Sequence, residues 1–140
     1  MDAVLHAPGS GPAGIVRVLV ADDEADIRDL VCLAVRKAGC QVVTSASDGS
    51  AALAAARAQL PDLAVLDVSM PGATGLEICS ALRDDPATAG IRILLLSAGA
   101  SPDEVARGLS AGADAYLAKP FTVAGLVHQV RALTVREPVT

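Results

Sequence analysis

Hydrophobic positions along the chain fall into five short apolar runs, each followed by a stretch with helical spacing. The first run, residues 15–21 (IVRVLVA), is broken only by Arg17 and is short enough for a buried strand. Ile27, Leu30, Val31, Val35 and Ala38 then recur at helical intervals, predicting a helix over about 25–38 with Gly39 at its C-terminal cap. Residues 41–45 (QVVTS) read as a second strand, and Ser47 or Asp48 caps an Ala-rich helix that reaches about Ala58 before Pro61. A third strand, 62–67 (DLAVLD), ends in an aspartate; the turn 70–75 (MPGATG) leads into a helix carrying Leu76, Ile78, Cys79 and Leu82. Residues 92–97 (RILLLS) are the most hydrophobic run and are expected at the centre of a sheet. Ser101-Pro102-Asp103-Glu104 has the form of a capping box with proline at the first helical position, opening a helix that bears Val105 and Leu109 and closes at Gly112. Residues 115–119 (AYLAK) give a fifth strand, and a last helix runs from Thr122 to about Thr134.

The order is (βα)5, with connections long enough only for alternating crossovers. Right-handed crossovers then predict an α/β fold: an open, doubly wound, parallel five-stranded sheet of order 2-1-3-4-5. Residues 15–134 form one domain in this reading. Residues 1–14, rich in Gly, Pro and Ala, read as a flexible tail, and 135–140 (VREPVT) as a C-terminal tail or the start of a linker.

Composition sharpens this picture. The 140 residues are 52% hydrophobic and 19% charged, which opposes disorder, and Tyr116 and Phe121 are the only aromatics. The core must therefore be aliphatic, as suits a parallel sheet covered on both faces. A formal net charge of −5 gives no general attraction to phosphate backbones, so direct nucleic-acid binding is not expected. No run approaches membrane-spanning length and no basic start precedes an apolar stretch, so a cytoplasmic protein is expected. Cys32, Cys40 and Cys79 form no CxxC pair and read as small hydrophobes.

In such a sheet, ligands bind beyond the carboxyl ends of the strands, near the point where strand order reverses. The residues at those ends are Asp22-Asp23-Glu24, Asp67, Ser97 and Lys119. Two unit charges about 4 Å apart repel by about 4 kcal/mol at an effective dielectric near 20, so converging carboxylates call for a compensating cation. Hard oxygen ligands favour Mg2+. Asp67 is then a candidate nucleophile toward phosphorus, with Lys119 and Ser97 placed to meet the phosphoryl oxygens.

The acidic pair, the run Asp67-x-x-Met70-Pro71-x-x-x-Gly75, the step Ser97-Ala98, Gly112-Ala113-Asp114 and Tyr116-x-x-Lys119-Pro120-Phe121 together resemble a response-regulator receiver domain of two-component signalling, similar to the chemotaxis regulators. The resemblance covers about residues 15–134. It implies the flavodoxin-like fold and phosphorylation of Asp67 by a sensor histidine kinase or phosphotransfer protein. Asp23, Asp67 and the backbone carbonyl of Ser69 would ligate Mg2+, with Asp22 acting through water. Lys119 would pair with the phosphoryl group, Ser97 would move to hydrogen-bond it, and Tyr116 would turn inward in response. The face of helix four, strand five and helix five would then signal to a downstream protein or output domain. The family also implies a cis peptide before Pro120 and a phosphorylation-dependent homodimer. Ser97 stands where Thr is more frequent, the stretch Gly90-Ile91-Arg92 lacks a common proline, and Gly125 weakens the first turn of the last helix. Ala115 replaces an acidic residue frequent in receivers that dimerise through this face.

Each signal also has a plainer meaning. The 22–24 cluster fits a helix N-terminus favoured by the macrodipole, Ser97 a cap, Lys119 a solvated cation, and Phe121 a packing residue. His6 and His128 have no ligand partners. Gly9-Ser-Gly11-Pro-Ala-Gly14 spells GxGxxG but precedes a strand, and Asp-Glu-Ala-Asp at 23–26 has no phosphate loop beside it. The expected function is thus a phosphorylation switch that acts chemically only on its own aspartate. A small Mg2+-dependent phosphatase or phosphotransferase is the first alternative, although Ser69 occupies the position of its second carboxylate. A phosphorylation-independent interaction module is the second. The sequence reads either as a stand-alone receiver or as one taken from a longer regulator.

Overall fold

The computed structural model of the chain describes residues 14–134, so all but the last residue of the expected tail at 1–14, and the whole of that at 135–140, lie outside the described residues. Five strands alternate with five helices: β1 (Arg17–Ala21), α1 (Ala25–Lys37), β2 (Gln41–Ala46), α2 (Gly49–Gln59), β3 (Leu63–Asp67), α3 (Gly75–Asp84), β4 (Arg92–Ser97), α4 (Pro102–Ser110), β5 (Ala115–Ala118) and α5 (Val123–Thr134). All pairings are parallel, in the order β2-β1-β3-β4-β5.

The inner strands are apolar without alternation because both faces are buried, and the two-residue period sorts their side chains between two cores. Leu19, Ala64, Leu66, Ile93 and Leu95 point to one core with Ala52 and Ala56 of α2 and Ile78 and Leu82 of α3. Val18, Val20, Leu63, Val65, Leu94 and Leu96 point to the other with Val31 and Val35 of α1 and Leu126 and Val130 of α5. Phe121 packs on this second core, and Tyr116 on the first. The thiols are separate and free: Cys79 lies within the first core, Cys32 within the second, with Cys40 against it.

Element ends follow local chemistry. Asp48, not Ser47, caps α2 by accepting from the Ala51 amide at 2.8 Å. Both bonds of the Ser101–Glu104 capping box are present, with Pro102 opening α4. Thr74 and Glu77 form a second capping box, at the start of α3. Strand β1 begins at Arg17 instead of residue 15. The Arg17 amide donates to Asp62 Oδ2 at 2.8 Å, and its guanidinium donates to the Gln59 carbonyl at 2.8 Å, closing α2 from below. Strand β5 ends one residue before Lys119, whose peptide with Pro120 is cis.

Candidate functional site

Register brings the chemistry together. Ala21 of β1 lies beside Leu66 of β3, so one further residue along each strand places Asp22 next to Asp67. Ser97 of β4 pairs with Ala118 of β5, and the Lys119 amide donates to the Ser97 carbonyl at 2.7 Å. Asp22, Asp67, Ser97 and Lys119, from four strand ends, therefore gather at the carboxyl end of the sheet near β1 and β3, where strand order reverses.

Carboxylate oxygens of Asp22, Asp23 and Asp67 all lie within 4.8 Å of one another. Asp22 is fully buried; its Oδ1 accepts from the Glu24 amide at 2.9 Å, while its Oδ2 has no hydrogen-bond partner. Lys119 Nζ stands 3.0 Å from that Oδ2 as an ion pair out of hydrogen-bond alignment, 3.5 Å from Asp67 Oδ1, and 3.5 Å from Glu24 Oε1. Three carboxylates against one ammonium leave the cluster short of positive charge. A small hard dication fits that deficit: Asp22 Oδ2, which accepts no hydrogen bond and is ion-paired with Lys119, and the exposed Asp23 are donors of the right kind.

Electrostatics bear the strain of this crowding. Burial, then the Asp22 charge, pushes the Asp67 carboxyl up to about 6, with Lys119 and the Ser69 amide pulling weakly the other way. The Ser69 N–H reaches Asp67 Oδ1 at a long 3.4 Å. Burial alone would lower Lys119, but the surrounding Asp22, Asp67 and Glu24 more than offset it and hold the ammonium above its ordinary value.

The far wall of the cleft is the β4–α4 loop. Gly99 is its junction: its amide donates to Ser97 Oγ at 3.1 Å, and its carbonyl accepts from the Tyr116 hydroxyl at 2.8 Å. Asp23, Asp67, Ser69, Ser97 and Lys119 line the same open cleft, so the residues singled out from sequence meet there, with Tyr116 behind them. Glu24, Gly99 and Glu104 line it as well. In the sequence Glu24 reads only as part of the acidic run. Gly99 carries no side-chain signal, and its part rests on backbone atoms. Arg28, also unnoticed, donates to the Asp22 carbonyl at 2.8 Å from the first turns of α1.

Comparison with known proteins agrees with this geometry. The family model for the response regulator receiver domain matches residues 18–131. The probable transcriptional regulatory protein TcrX of Mycobacterium tuberculosis is 43% identical over 125 residues, covering 89% of this chain and 52% of that protein. The transcriptional regulatory protein CseB of Streptomyces avermitilis is 41% identical over 83% of this chain and 48% of its own. The chain thus spans about half the length of these curated relatives. Among solved structures, the signal receiver domain of the response regulator NarL from Mycobacterium tuberculosis superposes with a TM-score of 0.80 at 38% identity, over 86% of this chain and 96% of that one. The chemotaxis response regulator CheY4 of Vibrio cholerae gives 0.78 at 34% identity, over 85% and 98%. Another relative, MtrA of Mycobacterium leprae, is named a DNA-binding response regulator, a property of a protein about twice as long. No described helix is long and apolar enough to cross a membrane. With its five-stranded 2-1-3-4-5 sheet and an acidic cluster at the strand ends, the chain belongs to the family of response regulator receiver domains of two-component signalling.

Proposed function

We propose that this domain accepts a phosphoryl group on Asp67 from a histidine kinase or phosphotransfer protein, in a Mg2+-dependent reaction, and signals through the face of α4, β5 and α5. The observation that supports this most is the set of three carboxylates with oxygens within 4.8 Å of one another, and Lys119 Nζ 3.0 Å from Asp22 Oδ2 and 3.5 Å from Asp67 Oδ1. Asp22, Asp23 and Asp67, together with the Ser69 carbonyl, would hold Mg2+. When bound there, the ion neutralises the carboxylates and the phosphoryl oxygens.

The remaining chemistry belongs to the chain itself. An ionised Asp67 oxygen forms the new O–P bond while the donor's P–N or P–O bond breaks, the departing imidazole or carboxylate keeping the electron pair. Lys119, held charged by its carboxylate neighbours, is placed to take one phosphoryl oxygen. Ser97 has its hydroxyl on the Gly99 amide, so a turn toward the phosphoryl group releases that amide and changes the loop that Tyr116 grips. For output we infer control of transcription through a partner or output domain, because the relatives carry that name. The net charge of −5 disfavours DNA contact by this chain itself.

The test is intact-mass measurement after incubation with a small acyl phosphate or a phosphorylated histidine kinase, with and without Mg2+. We expect one alkali-labile phosphoryl group, dependent on Mg2+ and absent in Asp67→Ala. No adduct from either donor, on a folded and Mg2+-supplied protein, would overturn the reading.

A further inference from the structure

Helix α4 lies over the switch, yet Gly108 is its only buried residue. A Cβ built on Gly108 would sit 2.8 Å from Tyr116 Cδ2, 3.0 Å from Cε2 and 3.2 Å from Leu95 Cδ1. The first of these is closer than folded proteins tolerate, and a void of about 40 Å3 beside the ring, bounded by Val68, Leu76, Glu104 and Arg107, shows the seat is loosely filled elsewhere. The ring thus sits against the one place where α4 presents bare backbone. From that position the hydroxyl reaches the Gly99 carbonyl, and the Gly99 amide reaches Ser97 Oγ.

We propose that Gly108 is the positioning residue of the Tyr116 switch: the missing side chain at 108 opens the inward seat, and through the Gly99 peptide it sets the state of the loop beside Ser97. This deepens the functional reading above and rests on it only for its biological meaning. A larger residue at 108 drives the ring out, breaks the hydroxyl bond to Gly99 and biases the α4–β5 face against the inward arrangement. The substitution touches none of the phosphoryl or metal contacts.

The sequence offers a direct probe, since Tyr116 is the only tyrosine and there is no tryptophan. Its fluorescence, quenched with acrylamide in phosphate-free and metal-free buffer, should become at least about twofold more quenchable in Gly108→Ala. Alanine is otherwise the better helix former, so the same substitution in a Tyr116→Ala background should raise Tm by about 2–5 °C, and with Tyr116 present it should lower it. In wild type, nuclear Overhauser contacts should link the Gly108 Hα protons to the Tyr116 ring, a check that survives if the variant fails to fold. Unchanged quenching, a raised Tm in both backgrounds, or absence of those contacts would each overturn the proposal. Because these readouts use neither phosphate nor metal, a chain that never takes a phosphoryl group would sink the functional reading while leaving them intact.

Discussion

Asp67 is 4% exposed, sits beside a second buried carboxylate, and has its carboxyl pushed up to about 6 from an ordinary 3.8. Because the folded state binds this proton more tightly than the unfolded chain, its contribution to stability is fully present below pH 3.8 and is lost as pH rises through about 6. In metal-free protein at pH 7 the ionised side chain is therefore a liability of up to about 3 kcal/mol, at about 1.4 kcal/mol per pH unit. Asp67→Asn should be more stable than wild type under chelator at pH 7, and equal to it near pH 4, in urea titrations. Mg2+ should stabilise wild type and leave Asp67→Asn largely unmoved, with wild-type affinity falling as pH drops through 6 because the ligand must be ionised. Cys79 gives a second residue-scale expectation. Burial pushes its thiol up to about 11, so iodoacetamide at pH 8 should spare it in native protein and label it promptly in urea. The charged residues of the site were legible in the sequence because Asp22-Asp23-Glu24, Asp67 and Lys119 each close or follow an apolar run. Gly99 and Gly108 were not, since their part is played by backbone atoms and by empty space.

At the scale of elements, the strand–helix alternation was written plainly in the hydrophobic period, and Asp48, Pro102 and Gly39 punctuate it where the helices stop and start. What the period could not show is how one element is fastened to the next. Arg83 at the end of α3 donates to the carbonyls of Gly112, Ala89 and Ile91 and to Asp114, whose carboxylate also takes the Ile93 amide. A lone arginine on a helix reads as solvated surface, and its partners are 6 to 31 residues away. With several charge-assisted bonds, partly exposed, Arg83→Ala should lower stability by about 2–3 kcal/mol, read as a fall in the urea midpoint with m unchanged. Gly49 is a comparable case at the head of α2. Its amide donates to the Pro71 carbonyl at 2.9 Å, and a Cβ there would overlap the backbone of Ala73, which cannot yield as a side chain would. Gly49→Ala should cost about 1–3 kcal/mol and weaken Mg2+ binding, because the displaced loop carries Ser69. Gly90→Ala, with open space around it, should change stability by no more than about 0.5 kcal/mol in the same titration.

For the whole molecule, the sheet order was legible from the (βα)5 alternation, right-handed crossovers and the receiver-like motifs taken together, and the two cores from the fact that both faces of a parallel sheet are covered. Division of labour between those faces was not foreseeable from composition. α1 and α5 close one face with several buried residues, whereas in α4 only Gly108 is fully buried, with Glu104 and Val105 half-buried. A helix held by so little apolar surface can detach while both cores stay intact, so its opening free energy lies far below that of global unfolding. Amide hydrogen exchange should accordingly release α4 well before β3 and β4, whose amides wait for the whole fold to open. The domain then joins two parts of unequal grip: a frame of buried strands that keeps the acidic pocket in register, and a helix fastened to it by a single fully buried residue.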